Sequence, residues 1–523
     1  MPHAPQIDAR QRIPPDAPGH STHHSETVTS PPLVVDLDGT LTHSDTLIES
    51  ALQVARQAPL NLLRMPVWLA GGRASFKRAI AARTDASRLV LPYRTDLIEY
   101  LRSQRTAGRR VVLATAAHRS VADRVAGELG LFDQVLATGD GINLKGEAKL
   151  AAIRAEIGPD FVYAGDSRAD LPIWHAAKAV VLAGVSESTR AALHRHTPVE
   201  RDFPNPARGP LLWLRALRLH QWTKNLLLFV PLLTAFSFAD PHRLQAAITA
   251  FFAFSFAASA TYIGNDLLDL DNDRRHPRKR NRPFASGHLP ITQGVVVAVS
   301  ALMGGLALAA AVSGPFVLML MLYLAITSAY SWVLKRYVLL DVLMLSLLYT
   351  LRILAGAVSV GLATSSWLLV FSAFIFLSLA LVKRCAELAL LLQNGETATR
   401  GRDYRVSDLV VLWPMGVGAA LCSVIVFGLF ISAADTRARY LSPDLLWLVE
   451  AALIYWLGRL WIKTARNEMH DDPVVYALRD RGSRLVIAFM VAVVLCAHAL
   501  PGWALTPASP EGQATGALSS HVR

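Results

Sequence analysis

Between Asn265 and Gly287 the chain reads Asn-Asp-Leu-Leu-Asp-Leu-Asp-Asn-Asp-Arg-Arg-His-Pro-Arg-Lys-Arg-Asn-Arg-Pro-Phe-Ala-Ser-Gly, directly after an apolar stretch of membrane length. Asp266, Asp269 and Asp273 are spaced three and four apart, so on a helix their carboxylates line one face and converge. Carboxylates that close repel one another unless a cation lies between them, and oxygen-only ligands suit Mg2+ better than Zn2+. Arg274, Arg275, Arg278, Lys279, Arg280 and Arg282 follow at once and can neutralise phosphate oxygens beyond the metal's reach. Acid and base clusters together describe a diphosphate site. A charged side chain at mid-membrane depth costs roughly 2.5–3.5 kcal/mol on insertion scales, so such a crowd at the end of a span marks function.

A second acidic set lies near the start. Leu33-Val34-Val35 reads as a short buried strand running into Asp36-Leu37-Asp38-Gly39-Thr40-Leu41-Thr42, where alternation puts Asp36 and Asp38 on one side and Gly39 permits a tight turn. A second apolar run, Val111 to Ala114, ends at Thr115. A third, Phe161 to Ala164, ends at Gly165-Asp166-Ser167, with Asp170 a helical turn on and Lys149 at the start of a helical stretch between these two runs. Strands ending in polar residues and separated by helical segments predict a doubly wound α/β unit with its site at the strand C-termini.

The elements that must position these residues divide the chain of 523 residues. Residues 1–30, rich in Pro, His, Ser and Thr, predict a disordered tail without a secretory signal, in which His20, His23 and His24 are read as tail rather than metal site. The α/β unit is expected over 31–197, with a small helical cap at about 45–105 on which Arg73, Lys77 and Arg78 could meet substrate. A linker over 198–210 follows, then a membrane part over 211–506 and a second tail over 507–523. Apolar stretches long enough to cross ~30 Å of hydrocarbon fall at about 222–238, 244–264, 292–313, 315–333, 339–361, 366–392, 409–432, 445–463 and 485–505. Hydrophobic residues make up 52% of the chain, and the net charge of +12 sits mainly at the ends of these stretches. With a mean hydropathy of +0.33, this points to the membrane bilayer and phosphorylated substrates as partners and away from nucleic acid. Basic residues crowd one set of loops (Arg274 to Arg282, Lys335-Arg336, Arg400 to Arg405, Lys463 to Arg484), which makes that side and the N-terminal unit cytoplasmic, in a bacterial inner membrane. Cys385, Cys422 and Cys496 lack metal spacing and are read as packing residues.

Two family resemblances follow. The pattern Asn265-Asp266, Asp269, Asp273 resembles the first aspartate-rich motif of the UbiA-type intramembrane prenyltransferases, which implies an all-α domain of about nine transmembrane helices. The continuation His276-Pro277, Lys279, Arg282-Pro283 is similar to the branch that transfers 5-phosphoribose onto a polyprenyl phosphate such as decaprenyl phosphate. A second aspartate motif of that family, Asp then Asp four residues on, is met here by Asp341 but Leu345. Other polar residues gather on the same side: Lys224 and Asn225 at the first span, Tyr330, Lys335 and Asp341 about the fourth loop, Arg352 deeper, and Lys383, Arg384 and Glu387 near the end of the sixth. Each bare like-charge contact at about 4 Å costs roughly 4 kcal/mol at an effective dielectric near 20. Phosphoribosyl diphosphate and a polyprenyl phosphate bring more phosphates than an aromatic acceptor and prenyl diphosphate do, so they call for more fixed cations.

Residues 33 to 195 resemble the haloacid dehalogenase superfamily. That resemblance implies Asp36 as phosphoryl-accepting nucleophile, Asp38 as general acid and base, Thr115 and Lys149 as phosphate holders, and Asp166 and Asp170 completing a Mg2+ site to which Asp36 and Asp38 also belong. The expectation is a bifunctional membrane enzyme in which the hydrolase acts on a phosphomonoester such as the 5-phosphate of the transferase product. The alternatives are an aromatic prenyltransferase using a prenyl diphosphate, and a soluble unit that only regulates or assembles. Homo-oligomerisation stays open.

Overall fold

The computed structural model describes residues 30–58, 60–139, 144–193, 197–205, 209–399, 402–469 and 473–501. The two expected tails with His20, His23 and His24, Arg400, and the side chain of Arg73 lie outside the described residues. The chain divides into two compact units, Met1–Thr42 with Tyr93–Asn205, and His43–Pro92 with Pro206–Arg523.

The first unit is a six-stranded parallel sheet in the order β3-β2-β1-β4-β5-β6. The strands are β1 (Leu33–Val35), β2 (Val111–His118), β3 (Gln134–Thr138), β4 (Val162–Gly165), β5 (Ala179–Ala183) and β6 (Val199–Phe203). Leu33 to Val35 pair with Val111 to Leu113 on one side and with Val162 to Ala164 on the other. Strands covered on both faces read as continuous apolar runs, and those of β1 and β4 are wholly buried. The strand order reverses between β1 and β4. A crevice therefore opens beyond their C-terminal ends, where Asp36 and Asp166 stand. The stretch expected as linker, 198–210, contains β6. Its pairing with β5 was hidden because Pro198 and Pro204 bracket five residues that include Glu200, Arg201 and Asp202.

Among the described residues of the second unit, eight helices are long and apolar enough to cross a membrane. The ninth expected span, 222–238, is instead a 3-10 stretch Leu219–Phe229 followed by the short helix Val230–Thr234. Irregular backbone at membrane depth is tolerable only where protein satisfies it. Here Asn225 is buried between Ser255 and Arg352, and Gly356 lets the Leu228 carbonyl approach so closely that a Cβ there would overlap it.

Four helices of this unit matter for the sites beside the inserted helix α1 (Thr46–Gln57): α2 (Pro241–Leu268), α3 (Leu270–Arg275), α4 (Leu340–Val360) and α5 (Ser366–Gln393). Asp240 caps α2, accepting from the amides of His242 and Arg243. The cap expected at about 45–105 does not form one block, because residues 43–92 group with the membrane unit. The apolar side chains Ile48 and Leu52 of α1 pack against a cluster that includes Leu267, Leu270, Phe284 and Leu289.

Candidate active sites

In the first unit, Asp36 directly follows β1 and accepts from the Leu37 amide at 2.8 Å. Gly39 turns the chain at φ +77, and a Cβ there would overlap the Asp166 carboxylate, so only glycine allows the two to close up. Asp36, Asp166 and Asp170 bring ligand oxygens within 4.8 Å of one another. Lys149 faces them, its Nζ 2.9 Å from Asp36 Oδ1, and it donates to the Tyr163 hydroxyl, which donates to Asp170 Oδ1. Asp170 Oδ2 accepts from the amides of Asp166 and Ser167, which fixes the loop after β4.

The electrostatics show an excess of negative charge. Burial, then Asp170, Asp36 and Asp38, push Asp166 up to about 8. Burial also raises Asp36, against the pull of Lys149. For Lys149 burial alone would lower the pKa, but Asp36 and Asp170 outweigh it and the value rises. Three oxygen ligands with one facing ammonium fit a hard divalent cation. Thr115, fully buried, accepts from the Ala117 amide and keeps its own hydroxyl proton to donate.

Sequence reasoning missed three residues here. Tyr163 relays between Lys149 and Asp170, a position that strand alternation in β4 could have flagged. Arg94 is buried and donates to the carbonyl of Thr40 and to Asn205. Nothing local to Arg94 or Asn205 marks that contact, which closes over 111 residues.

In the second unit the three-and-four spacing does not give one continuous helix face. α2 ends at Leu268 and α3 begins at Leu270, with Asp269 at the junction at φ −102, ψ 14. Asp266 and Asp273, both buried, meet across this break through Arg282, whose Nη1 lies 2.9 Å from Asp266 Oδ1 and 2.6 Å from Asp273 Oδ2. Arg218, at 2.5 Å, is a second partner of Asp266. Lys279 stands 4.0 Å from Asp273. Asp269 is half-exposed, with Arg56 at 3.8 Å. The donor set is oxygen-only and suits a hard divalent cation, but in this conformation an arginine shares two of its three members. Arg218, in a left-handed backbone conformation just before the 3-10 stretch Leu219–Phe229, was missed.

Asn265 donates to Ser331 at 3.3 Å and so ties this loop to the fourth one. Lys335 is half-buried there. Burial, with Arg402 and Lys279, lowers its pKa while Asp269 opposes the shift.

Asp341 opens α4 fully buried, held by Arg384 of α5 at 2.5 Å and by the Tyr330 hydroxyl at 2.8 Å, with Arg402 at 3.9 Å. Arg384 and Arg402 both reach Glu387 as well. Lys383 precedes Arg384 on α5. Deeper, Arg352 donates to Asn225 and to the Tyr323 hydroxyl, and Lys224 lies over the Tyr349 ring at 5.5 Å. Tyr349 stacks on Phe376, which lines a cavity of about 280 Å3 together with Leu227, Ile353, Phe371 and Trp456, its wall apolar but for Ser372. Tyr349, under Lys224, thus links this apolar hollow to a cationic side chain.

The family model described as UbiA prenyltransferase family matches residues 228–479, and the one described as haloacid dehalogenase-like hydrolase matches 33–175. An uncharacterised protein of Sinorhizobium fredii is 39% identical over 475 residues, covering 89% of this chain and 91% of its own. Nodulation protein NoeC of Azorhizobium caulinodans is 36% identical over 54% of this chain and 92% of its own. The decaprenyl-phosphate phosphoribosyltransferase of Corynebacterium glutamicum is 30% identical over 55% of this chain and 87% of its own.

Proposed function

The chain belongs to the UbiA prenyltransferase family, as an integral membrane transferase with a haloacid dehalogenase-like phosphatase unit ahead of it, and from that premise we propose that it transfers 5-phosphoribose from phosphoribosyl diphosphate to a polyprenyl phosphate. The observation that carries the choice of donor is Asp341. Where a second aspartate pair would stand, Leu345 replaces one member and Arg384, Arg402 and Tyr330 surround the other. A lone aspartate committed to arginine leaves no second aspartate pair for a metal, which disfavours a donor ionised between two metal clusters. The 30% identical relative named for that reaction supports the same reading.

Asp266, Asp269 and Asp273 would hold a Mg2+ ion, which would supply countercharge to the leaving diphosphate. Arg282, Lys279 and Lys335 hold its remaining oxygens, and the apolar cavity takes the acceptor's chain. A phosphate oxygen of the lipid bonds to the anomeric carbon as the bond from that carbon to diphosphate breaks. The excess of basic residues in these loops supports a site on the cytoplasmic side of a bacterial inner membrane.

In the phosphatase unit, Asp36, Asp166 and Asp170 would hold a Mg2+ ion, which would shield the phosphate's charge. Asp36 attacks phosphorus as the bond from phosphorus to the ester oxygen breaks, Lys149 and Thr115 hold the non-bridging oxygens, and Asp38 protonates the departing alkoxide oxygen to give the alcohol. Water then cleaves the aspartyl phosphate as Asp38 takes its proton. The 5-phosphate of the transfer product is the substrate we assign to it.

Membranes containing the protein, incubated with labelled phosphoribosyl diphosphate and polyprenyl phosphate, should yield a labelled lipid. A parallel incubation with prenyl diphosphate and 4-hydroxybenzoate should yield none. Product in the second incubation alone would reverse the assignment.

A further inference from the structure

Residues 43–92 interrupt the phosphatase-like unit in sequence, between Thr42 and Tyr93, yet they belong to the membrane unit. Their contacts run along the aspartate-rich loop. Glu49, on α1, takes both ends of the Arg274 guanidinium, Nη2 to Oε1 at 2.6 Å and Nη1 to Oε2 at 3.0 Å, with side-chain exposures of 2% and 5%. Arg274 Nη1 also donates to the Val90 carbonyl at 2.5 Å, and Nε to the Ala285 carbonyl at 2.9 Å. This arginine's donors are committed to protein acceptors, so Arg274, expected from sequence to bind diphosphate, has a different task.

Further contacts flank the pair. The Val90 amide donates to Asp271 at 3.2 Å. At the far end of the loop, Gly287 has φ +76, and a Cβ there would come within 2.5 Å of the His43 Cβ and 3.3 Å of the Pro92 Cβ. The loop is thus gripped in its middle and at its end by one inserted segment. Such a grip is needed, because α3 has six residues and helices shorter than about 12–15 residues are marginal without tertiary contacts.

We propose that residues 43–92 are a brace built into the transferase site, with Glu49 as its positioning residue: by fixing Arg274 it fixes α3, and with α3 Asp273 and the junction at Asp269. The proposal rests on the reading of those aspartates as part of the transfer site. It gives the two activities a structural reason to share a chain, since removing the phosphatase unit together with its insert removes the support of the other active site. A buried bidentate pair suits this task, because loss of one partner leaves an uncompensated charge and cannot be absorbed silently.

The test uses the full chain in lipid nanodiscs, comparing wild type, Glu49→Gln, the conservative Glu49→Asp, and the swapped pair Glu49→Arg with Arg274→Glu. Hydrogen exchange of amides 269–287 is read without substrate. Glu49→Gln should raise exchange there by about tenfold or more, with Glu49→Asp intermediate and the swapped pair returning towards wild type. Transfer at saturating donor should fall about tenfold in Glu49→Gln with the donor KM moving far less, while hydrolysis of p-nitrophenyl phosphate reports that the phosphatase unit is folded. Wild-type exchange in Glu49→Gln overturns the brace. If the wild type transfers no phosphoribose, the proposed function fails, and the exchange result alone decides the brace.

Discussion

Replacing Arg384 by Met should separate an ion-pair reading of Asp341 from a metal-ligand reading. Both members of the pair are fully buried and 2.5 Å apart. Removing one partner of such a pair typically costs about 3–5 kcal/mol, because the other is left buried and charged. Asp341 would keep the Tyr330 hydroxyl, and Arg402 at 3.9 Å, so the lower end, about 3 kcal/mol, is expected. Asp341→Asn should cost less, about 1–3 kcal/mol, since Arg384 retains Glu387. The double variant Asp341→Leu with Arg384→Met should fall well short of the sum, with a coupling of about 2 kcal/mol, inside the range measured for residues in contact. Denaturant unfolding of the protein in detergent micelles gives these values. Mg2+ titration of transfer gives an independent reading: Asp341→Asn should leave the half-saturating concentration unchanged. Additivity within about 0.5 kcal/mol, or a large rise in the Mg2+ requirement, would refute the ion-pair reasoning.

Asp266→Asn or Asp269→Asn should reduce Mg2+-dependent transfer more than tenfold, a barrier increase above roughly 1.4 kcal/mol, while the protein stays inserted; smaller losses in initial-rate assays would remove these residues from the metal site. Gly356→Ala should destabilise the membrane unit by about 1–3 kcal/mol, because the new Cβ overlaps the Leu228 carbonyl; an unchanged melting temperature would show that the 219–229 stretch can shift. Chelation with EDTA should abolish p-nitrophenyl phosphate hydrolysis and Mg2+ should restore it, whereas Lys149→Met should abolish it irrecoverably; hydrolysis persisting in EDTA would contradict the metal fit of Asp36, Asp166 and Asp170.

The parts of this chain that could be read in advance are those whose signal is local. β1 and β4 are apolar runs that lead into the residues proposed to do the chemistry, so the parallel sheet and its acidic crevice followed from a few contiguous stretches. The aspartate-rich run was equally plain as a composition. Its geometry was not, because α2 gives way to α3 at Asp269 and the countercharges come from afar: Arg218 lies 48 residues before Asp266, and Glu49 lies 225 residues before Arg274. Hydropathy misjudged 222–238 for a related reason. It reports how apolar a stretch is, and says nothing of a backbone that buried Asn225 and a close-packed Gly356 hold in 3-10 form. The grouping of 43–92 with the membrane unit had no local sign either, since α1 reads as an ordinary amphipathic helix and only its partner gives Glu49 a meaning.

The most direct measurement follows two labels through the reaction. Phosphoribosyl diphosphate labelled in the ribose carbons and, separately, in the 5-phosphate is given with polyprenyl phosphate to the protein in nanodiscs, and lipid and water phases are analysed by mass spectrometry. The account predicts ribose carbon in the lipid and the 5-phosphate released as inorganic phosphate by the wild type, with both labels retained in the lipid by Asp36→Asn at an undiminished transfer rate. Ribose carbon absent from the lipid would contradict the account at its centre, and a 5-phosphate that stays on the wild-type lipid would contradict the role given to the phosphatase unit.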